Sequence, residues 1–178
     1  MGDPNFEGTV VLLGAHEDGG SIGWTINGDR LADGADIVRA TGLVTAGATL
    51  PAVFEHPALS GGPVSPESVW ILYRRADGAE LLPGSLAVGA EIAITSSLEA
   101  LRTLIDGGGP KEVRLLVGSA GWGPGQLERE VSKGVWLPAA ADADLLFDAA
   151  TATLWQRAYA QAIGTIPAAF VGTTRGSA

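Results

Sequence analysis

Hydrophobic and polar positions alternate in short blocks along this chain, and the blocks are mostly of strand length. Thr9–Ala15 is a continuous apolar, β-branched run, which predicts a buried, central strand. A Glu17–Gly20 turn leads into a second strand over Ile22–Ile26, closed by Asn27-Gly28, and the two strands read as a hairpin. Ala35–Leu43 reads as a short helix and Thr45–Gly62 as a turn-rich segment. Val69–Tyr73 is a strand, Asp77-Gly78 a turn, and Glu80–Leu82 a segment that pairs back. Glu91–Thr95 is a further strand. Ser96 and Glu99 form a capping box for a helix with Leu98, Leu101 and Ile105 on one face and a stop at Gly107–Gly109.

Glu112–Val117 is a strand that feeds a Gly-rich bend. Beyond the bend Pro124 suits a first helical turn, with Gln126 at the third helical position reaching back to the cap. Glu130 is placed to pair with Lys133, and Gly134 ends the helix. Val135–Leu137 and Asp144–Phe147 read as short strands. A last helix opens at Asp148 or Thr151. Two rows on it, Leu154/Ala158/Ala162 and Trp155/Tyr159/Ile163, predict a broad buried stripe. The tail from 165 to 178 is expected to fray. Strands outnumber helices without strict βαβ alternation, so the order predicts an α+β domain spanning residues 1–178.

Composition narrows the functional classes. Apolar residues make up 46% and charged residues 17% of 178, which is globular rather than disordered. The net charge is −9 and the eleven basic residues are scattered, so the counterion-releasing face of a nucleic-acid binder is missing from the pattern. Without cysteine there is no disulfide, thiolate nucleophile or cysteine-ligated metal. His16 and His56 are the only imidazoles and neither belongs to a metal-spaced pair, so no metal and no cofactor is expected. Met1–Asn5 carries neither the basic nor the apolar region of a secretory leader, Phe6 breaks the myristoylation pattern, and no apolar run reaches spanning length. A cytoplasmic protein is expected.

The residues also carry a resemblance. Asp3-Pro4-Asn5-Phe6 before an apolar strand, His16 with Gly20, Gly23 and Asn27, Gly61-Gly62-Pro63-Val64, Gly121–Glu128 with Glu130 and Trp136-Leu137, and Trp155 in the last helix follow one another in the order of the AlgH/YqgE family of bacterial proteins. The chain resembles that family over nearly its whole length. The resemblance implies a bifurcated, barrel-like, mostly antiparallel sheet with flanking helices, and no settled activity. Two departures stand out. Gly14 and Ala15 occupy positions where the family commonly has a Cys-Glu pair. Family members also begin upstream with a further strand, so a sheet edge near Thr9 is expected to be uncovered here and to invite a homodimer through that edge.

Gly19–Gly23 matches G-x-S-x-G, but a nucleophile elbow needs a helix after the serine, and Trp24–Ile26 continues as strand; a hairpin turn is the simpler reading. Gly121, Gly123 and Gly125 do not complete a dinucleotide fingerprint, because Gln126 fills the last position. The expected function is a non-enzymatic binding or regulatory one, with an unknown protein or small-molecule partner and no direct DNA binding. The candidate surface is His16, Asn27, Gly61, Gly62, Trp122, Gly123, Gln126 and Glu128. The alternative is a hydrolase or nucleotide-acting enzyme using His16, Asn27, Gln126 and Glu128. The Gly118–Gln126 bend and the His16–Asn27 hairpin are expected to lie together.

Overall fold

The computed structural model describes residues 8–148 and 150–165; the Asp3–Phe6 motif and the tail beyond Thr165 lie outside them. The strands are β1 (Val11–Glu17), β2 (Gly20–Thr25), β3 (Arg30–Asp33), β4 (Pro57–Ser60), β5 (Val64–Arg74), β6 (Leu86–Val88), β7 (Ile92–Thr95) and β8 (Val113–Trp122). The helices are α1 (Gly34–Ala40), α2 (Leu98–Ile105), α3 (Gln126–Ser132), α4 (Ala143–Asp148) and α5 (Thr151–Thr165).

One path of antiparallel neighbours runs β1-β2-β8-β5-β7-β6. Its ends meet where a side chain at Gly14 would touch Leu86 of β6, which makes the sheet barrel-like and nearly closed. β8 is where the sheet divides. One edge carries β5. The other carries β4, in parallel, at Leu116 and Val117, and then β2 at Ala120–Trp122. Gly61 sits in the fork. Its N–H donates to the Val117 carbonyl (2.7 Å) and its carbonyl accepts from Thr25 N–H (2.9 Å). The backbones are so close here that a Cβ on Gly62 would lie 2.3 Å from the Ser119 carbonyl oxygen, and one on Gly118 2.3 Å from that of Gly62. Gly62 and Gly118 also have φ of 139° and 78°, which glycine adopts without strain.

The middle of the sheet is buried on both faces, which is why Val69–Tyr73 of β5 and most of Val113–Val117 of β8 read as apolar runs. Leu72, Ile94, Leu116 and Trp24 pack with Leu145, Leu146 and Leu154 of α4 and α5. Ile71, Tyr73, Ala93 and Leu115 pack on the opposite side with Val38 of α1 and Leu101 and Leu104 of α2. α4 is tied down by Arg74, whose guanidinium meets Asp144 (2.8 Å) and Asp148 (3.5 Å) and lies over the Phe147 ring.

Several expectations are corrected. Among the described residues β1 is not central: it pairs with β2 alone, and Leu13 is 38% exposed beside the seam while Leu12 is buried. Its apolar run reflects packing on Trp24 and β6, not two hydrogen-bonded neighbours. β3 falls between the predicted hairpin and helix, where no element is expected, and β4 inside the turn-rich Thr45–Gly62 segment; each has four residues, with a bulge in their pairing and Pro57 at one end. Glu80–Leu82 forms no strand; Leu82 N–H donates to the Tyr73 hydroxyl instead, and Leu86–Val88 pairs with β7. The cap of α2 is Ser97, whose Oγ accepts from Glu99 and Ala100 N–H, and this register buries Ala100, Leu101 and Leu104 while exposing Leu98. β8 runs on through Gly118 to Trp122 because the glycines let neighbouring strands approach, not because they bend the chain away.

Val135–Leu137 is irregular, and 144–147 is helical because Asp142 Oδ1 caps the turn by accepting from Leu145 N–H. On α5 only one expected row is inside: Leu154 and Ala162 are buried, whereas Trp155, Tyr159 and Ile163 are 39–46% exposed.

Candidate functional site

The β1–β2 hairpin pairs His16 with Ser21 and Glu17 with Gly20, and β2 then pairs Ser21 with Trp122 of β8. The hairpin tip and the end of β8 therefore lie side by side, as expected for the two glycine-rich segments. The chain leaves β8 at Gly123 and turns through Pro124 and Gly125 (φ 66°), with Gln126 N–H donating to the Gly123 carbonyl. Gln126 is the first residue of α3, not the third. Its Oε1 accepts from Gly123 N–H at 3.1 Å, so it still reaches back across the turn.

α3 brings Glu130 under this turn. Glu130 Oε2 accepts from the Trp122 indole (2.9 Å) and the Trp136 indole (2.8 Å), and Oε1 accepts from Gln126 Nε2 (2.8 Å). The two indoles meet edge to face, 5.8 Å apart at 77°. The expected Glu130–Lys133 pair is thus replaced by a clamp in which one carboxylate joins the end of β8, the start of α3 and the segment after it. Partial burial pushes this carboxyl upward. The donors Gln126, Trp136 and Trp122, helped by Arg129, outweigh that and hold it below the ordinary 4.5. An anion bound by three N–H donors is a poor proton acceptor, so the clamp is structural chemistry.

Beside the clamp His16 Nδ1 and Ser21 Oγ are 2.7 Å apart, and His16 Nε2 lies 3.8 Å from Glu128 Oε1. The His16 and Glu128 side chains are 46% and 54% exposed. The fold thus assembles His16, Trp122, Gly123, Gln126 and Glu128 in one place. It does not bring Asn27, Gly61 or Gly62 into that cluster. Asn27, just past β2, holds the Gly8–Val10 segment that leads into β1: its Oδ1 accepts from Val10 N–H (2.7 Å) and its Nδ2 donates to the Gly8 carbonyl (3.0 Å). Gly61 and Gly62 form the fork.

Sequence reasoning left Ser21, Glu130 and Trp136 out of the site. Ser21 was set aside with the elbow motif, although the hairpin register alone places it opposite His16. Glu130 lies one helical turn from Gln126, which was the available signal. Among the described residues no His, Asp and Glu cluster could hold a metal ion, and no helix is long and apolar enough to cross a membrane.

A nearly closed, forked, mostly antiparallel sheet flanked by helices, with its Gly-Trp turn clamped by a glutamate, defines the class of protein. The AlgH-like family model matches residues 1–167, and the chain belongs to that family. It is 37% identical to a protein of Anaeromyxobacter dehalogenans over 96% of this chain and 86% of that one. It is 35% identical to a protein of Xanthomonas campestris over 89% and 81%. The solution structure of the AlgH protein from Pseudomonas aeruginosa superposes with a TM-score of 0.73 at 30% identity, covering all of this chain and 90% of that one. A Corynebacterium diphtheriae crystal structure shares the fold, with a TM-score of 0.63 at 22% identity over 88% and 78%.

Proposed function

We propose that this is a non-enzymatic binding or regulatory protein of the cytoplasm. It engages a partner through the face formed by the β1–β2 hairpin tip and the β8–α3 turn, and it does not contact DNA directly. The supporting observation is the Glu130 clamp. The most distinctive residues of the chain, Trp122, Gln126, Glu130 and Trp136, spend their polar atoms on one another and so stiffen a surface, while His16 and Glu128 remain exposed upon it. A rigid face with exposed polar groups suits recognition, because little side-chain freedom is lost on binding. The −9 charge argues against a phosphate backbone as the partner.

A photo-crosslinking amino acid at position 128 is expected to give a discrete, protease-sensitive adduct in cells, and the same group at exposed position 102 of α2 to give none. No adduct at 128, or an adduct removed by nuclease, contradicts the proposal.

One observation favours a second reading as a hydrolase. Ser21, His16 and Glu128 lie in line, so His16 Nδ1 could take the Ser21 proton while Glu128 faces the other ring nitrogen. Against it, Gly123 N–H, a nearby candidate for an oxyanion donor, is already given to Gln126. A binding protein should show no fluorophosphonate labelling above that of a Ser21→Ala control. Labelling that needs both Ser21 and His16 would favour the hydrolase.

A further inference from the structure

Asn27 and Gly28, in the loop after β2, are fixed by two separate demands of the fold. Asn27 uses both ends of its amide: Oδ1 accepts from Val10 N–H (2.7 Å) and Nδ2 donates to the Gly8 carbonyl (3.0 Å). An amide offers an acceptor and an N–H donor side by side, which a carboxylate does not. Gly28 lies against β4, where a Cβ would overlap the Ser60 carbonyl oxygen. Ser60 N–H donates to the Asp29 carbonyl (2.8 Å), so loop and strand are pinned together beside that contact.

The two demands together put asparagine before glycine, the dipeptide most prone to deamidation, because glycine has no side chain to hinder its own nitrogen. In that reaction the Gly28 backbone nitrogen attacks Asn27 Cγ. A C–N bond forms, the Gly28 N–H proton passes to solvent, the Cγ–Nδ2 bond breaks, and the nitrogen leaves as ammonia after taking a proton from solvent. Water then opens the five-membered succinimide to aspartate or isoaspartate, so one water is consumed for each ammonia released. Asn27 is half-buried beside exposed Asp29, within reach of that water.

The fold opposes the first step. Ring closure draws Cγ from about 3 Å or more onto the Gly28 nitrogen. The bonds to Gly8 and Val10 hold the amide back, and Gly28 is held by its packing on Ser60. We propose that Asn27-Gly28 is a deamidation site that the docked Gly8–Val10 segment keeps closed: the reaction runs when that segment opens, and it makes the opening permanent. A carboxylate at position 27 has no proton to give the Gly8 carbonyl, and isoaspartate also inserts a carbon into the backbone beside Ser60. The site lies apart from the hairpin–clamp face, and either reading can fail without the other.

Peptide mapping by mass spectrometry of the full chain, aged at mildly alkaline pH with and without urea, tests this. In urea the peptide holding Asn27 should gain the mass of amide-to-acid conversion, which aspartate isomerisation does not produce. In the folded chain the rate should be lower by about ten-fold or more. Val10→Pro removes the N–H that Oδ1 accepts and should raise the folded rate several-fold. Asn27→Asp copies one product: its denaturation midpoint should fall at neutral pH, and the gap should narrow as acid protonates the new carboxyl and returns a donor to Gly8. Equal rates in folded and unfolded chain overturn the proposal, as does no mass gain in urea. So does a folded Val10→Pro variant that ages no faster, or Asn27→Asp with an unchanged midpoint. If Val10→Pro does not fold, the urea comparison and Asn27→Asp carry the test.

Discussion

Gly118→Ala should be among the most damaging single substitutions in the chain, costing about 3–5 kcal/mol or preventing soluble expression. Two effects add. Alanine at φ 78° is strained, and its Cβ would lie 2.3 Å from the Gly62 carbonyl oxygen at the point where the sheet divides. Backbone on both sides of the fork is fixed by the Gly61 hydrogen bonds to Val117 and Thr25, so neither side can give way. Gly121 provides the internal control. It lies in the same strand, but its nearest neighbour for an added Cβ is Val64 Cγ2 at 3.8 Å, an ordinary contact. Gly121→Ala should change stability by about 0.5 kcal/mol or less. Denaturant melts of the two variants separate close backbone approach from a general intolerance of side chains; equal losses would refute the fork geometry.

Glu130→Gln should cost about 2–3 kcal/mol, because it removes the charge that three N–H donors share and turns an amide donor toward at least one of them. The acid side of the stability profile should change too. Glu130 has its folded value held below the ordinary 4.5, so its contribution is fully present above that value and is lost as pH falls through the lower, folded value. Glu130→Gln should therefore remove part of the destabilisation seen as pH drops below about 4.5, on top of a lower plateau at neutral pH. A variant with an unchanged plateau and an unchanged acid slope would mean that the clamp contributes nothing.

Local signals carried much of the fold into the sequence. The β1–β2 hairpin, β5, β7, α2 and α5 each have a turn, cap or period within their own residues. β3 and β4 do not: each spans four residues, and what fixes them is pairing with segments elsewhere in the chain; α4 has the Asp142 cap, but at six residues it shows no helical period. The parallel contact of β4 with β8, between Leu59 and Leu116, leaves no local trace, so neither did the fork that gives Gly61 and Gly62 their purpose. The same logic divides the site. His16, Trp122, Gln126 and Glu128 were legible as residues at the ends of elements, but Glu130 acquires its role only when α3 swings back under Trp122. Trp155 itself was misread, since helical period reports an apolar row and not whether anything covers it.

The most direct measurement is a pH titration of the indole N–H signals by ¹H–¹⁵N NMR. If Trp122 and Trp136 both donate to Glu130, both signals should sit downfield, exchange slowly and move together through one inflection below 4.5, and both titrations should vanish in Glu130→Gln. Two indoles that titrate separately, or not at all, would contradict the clamp on which the rigid binding face depends.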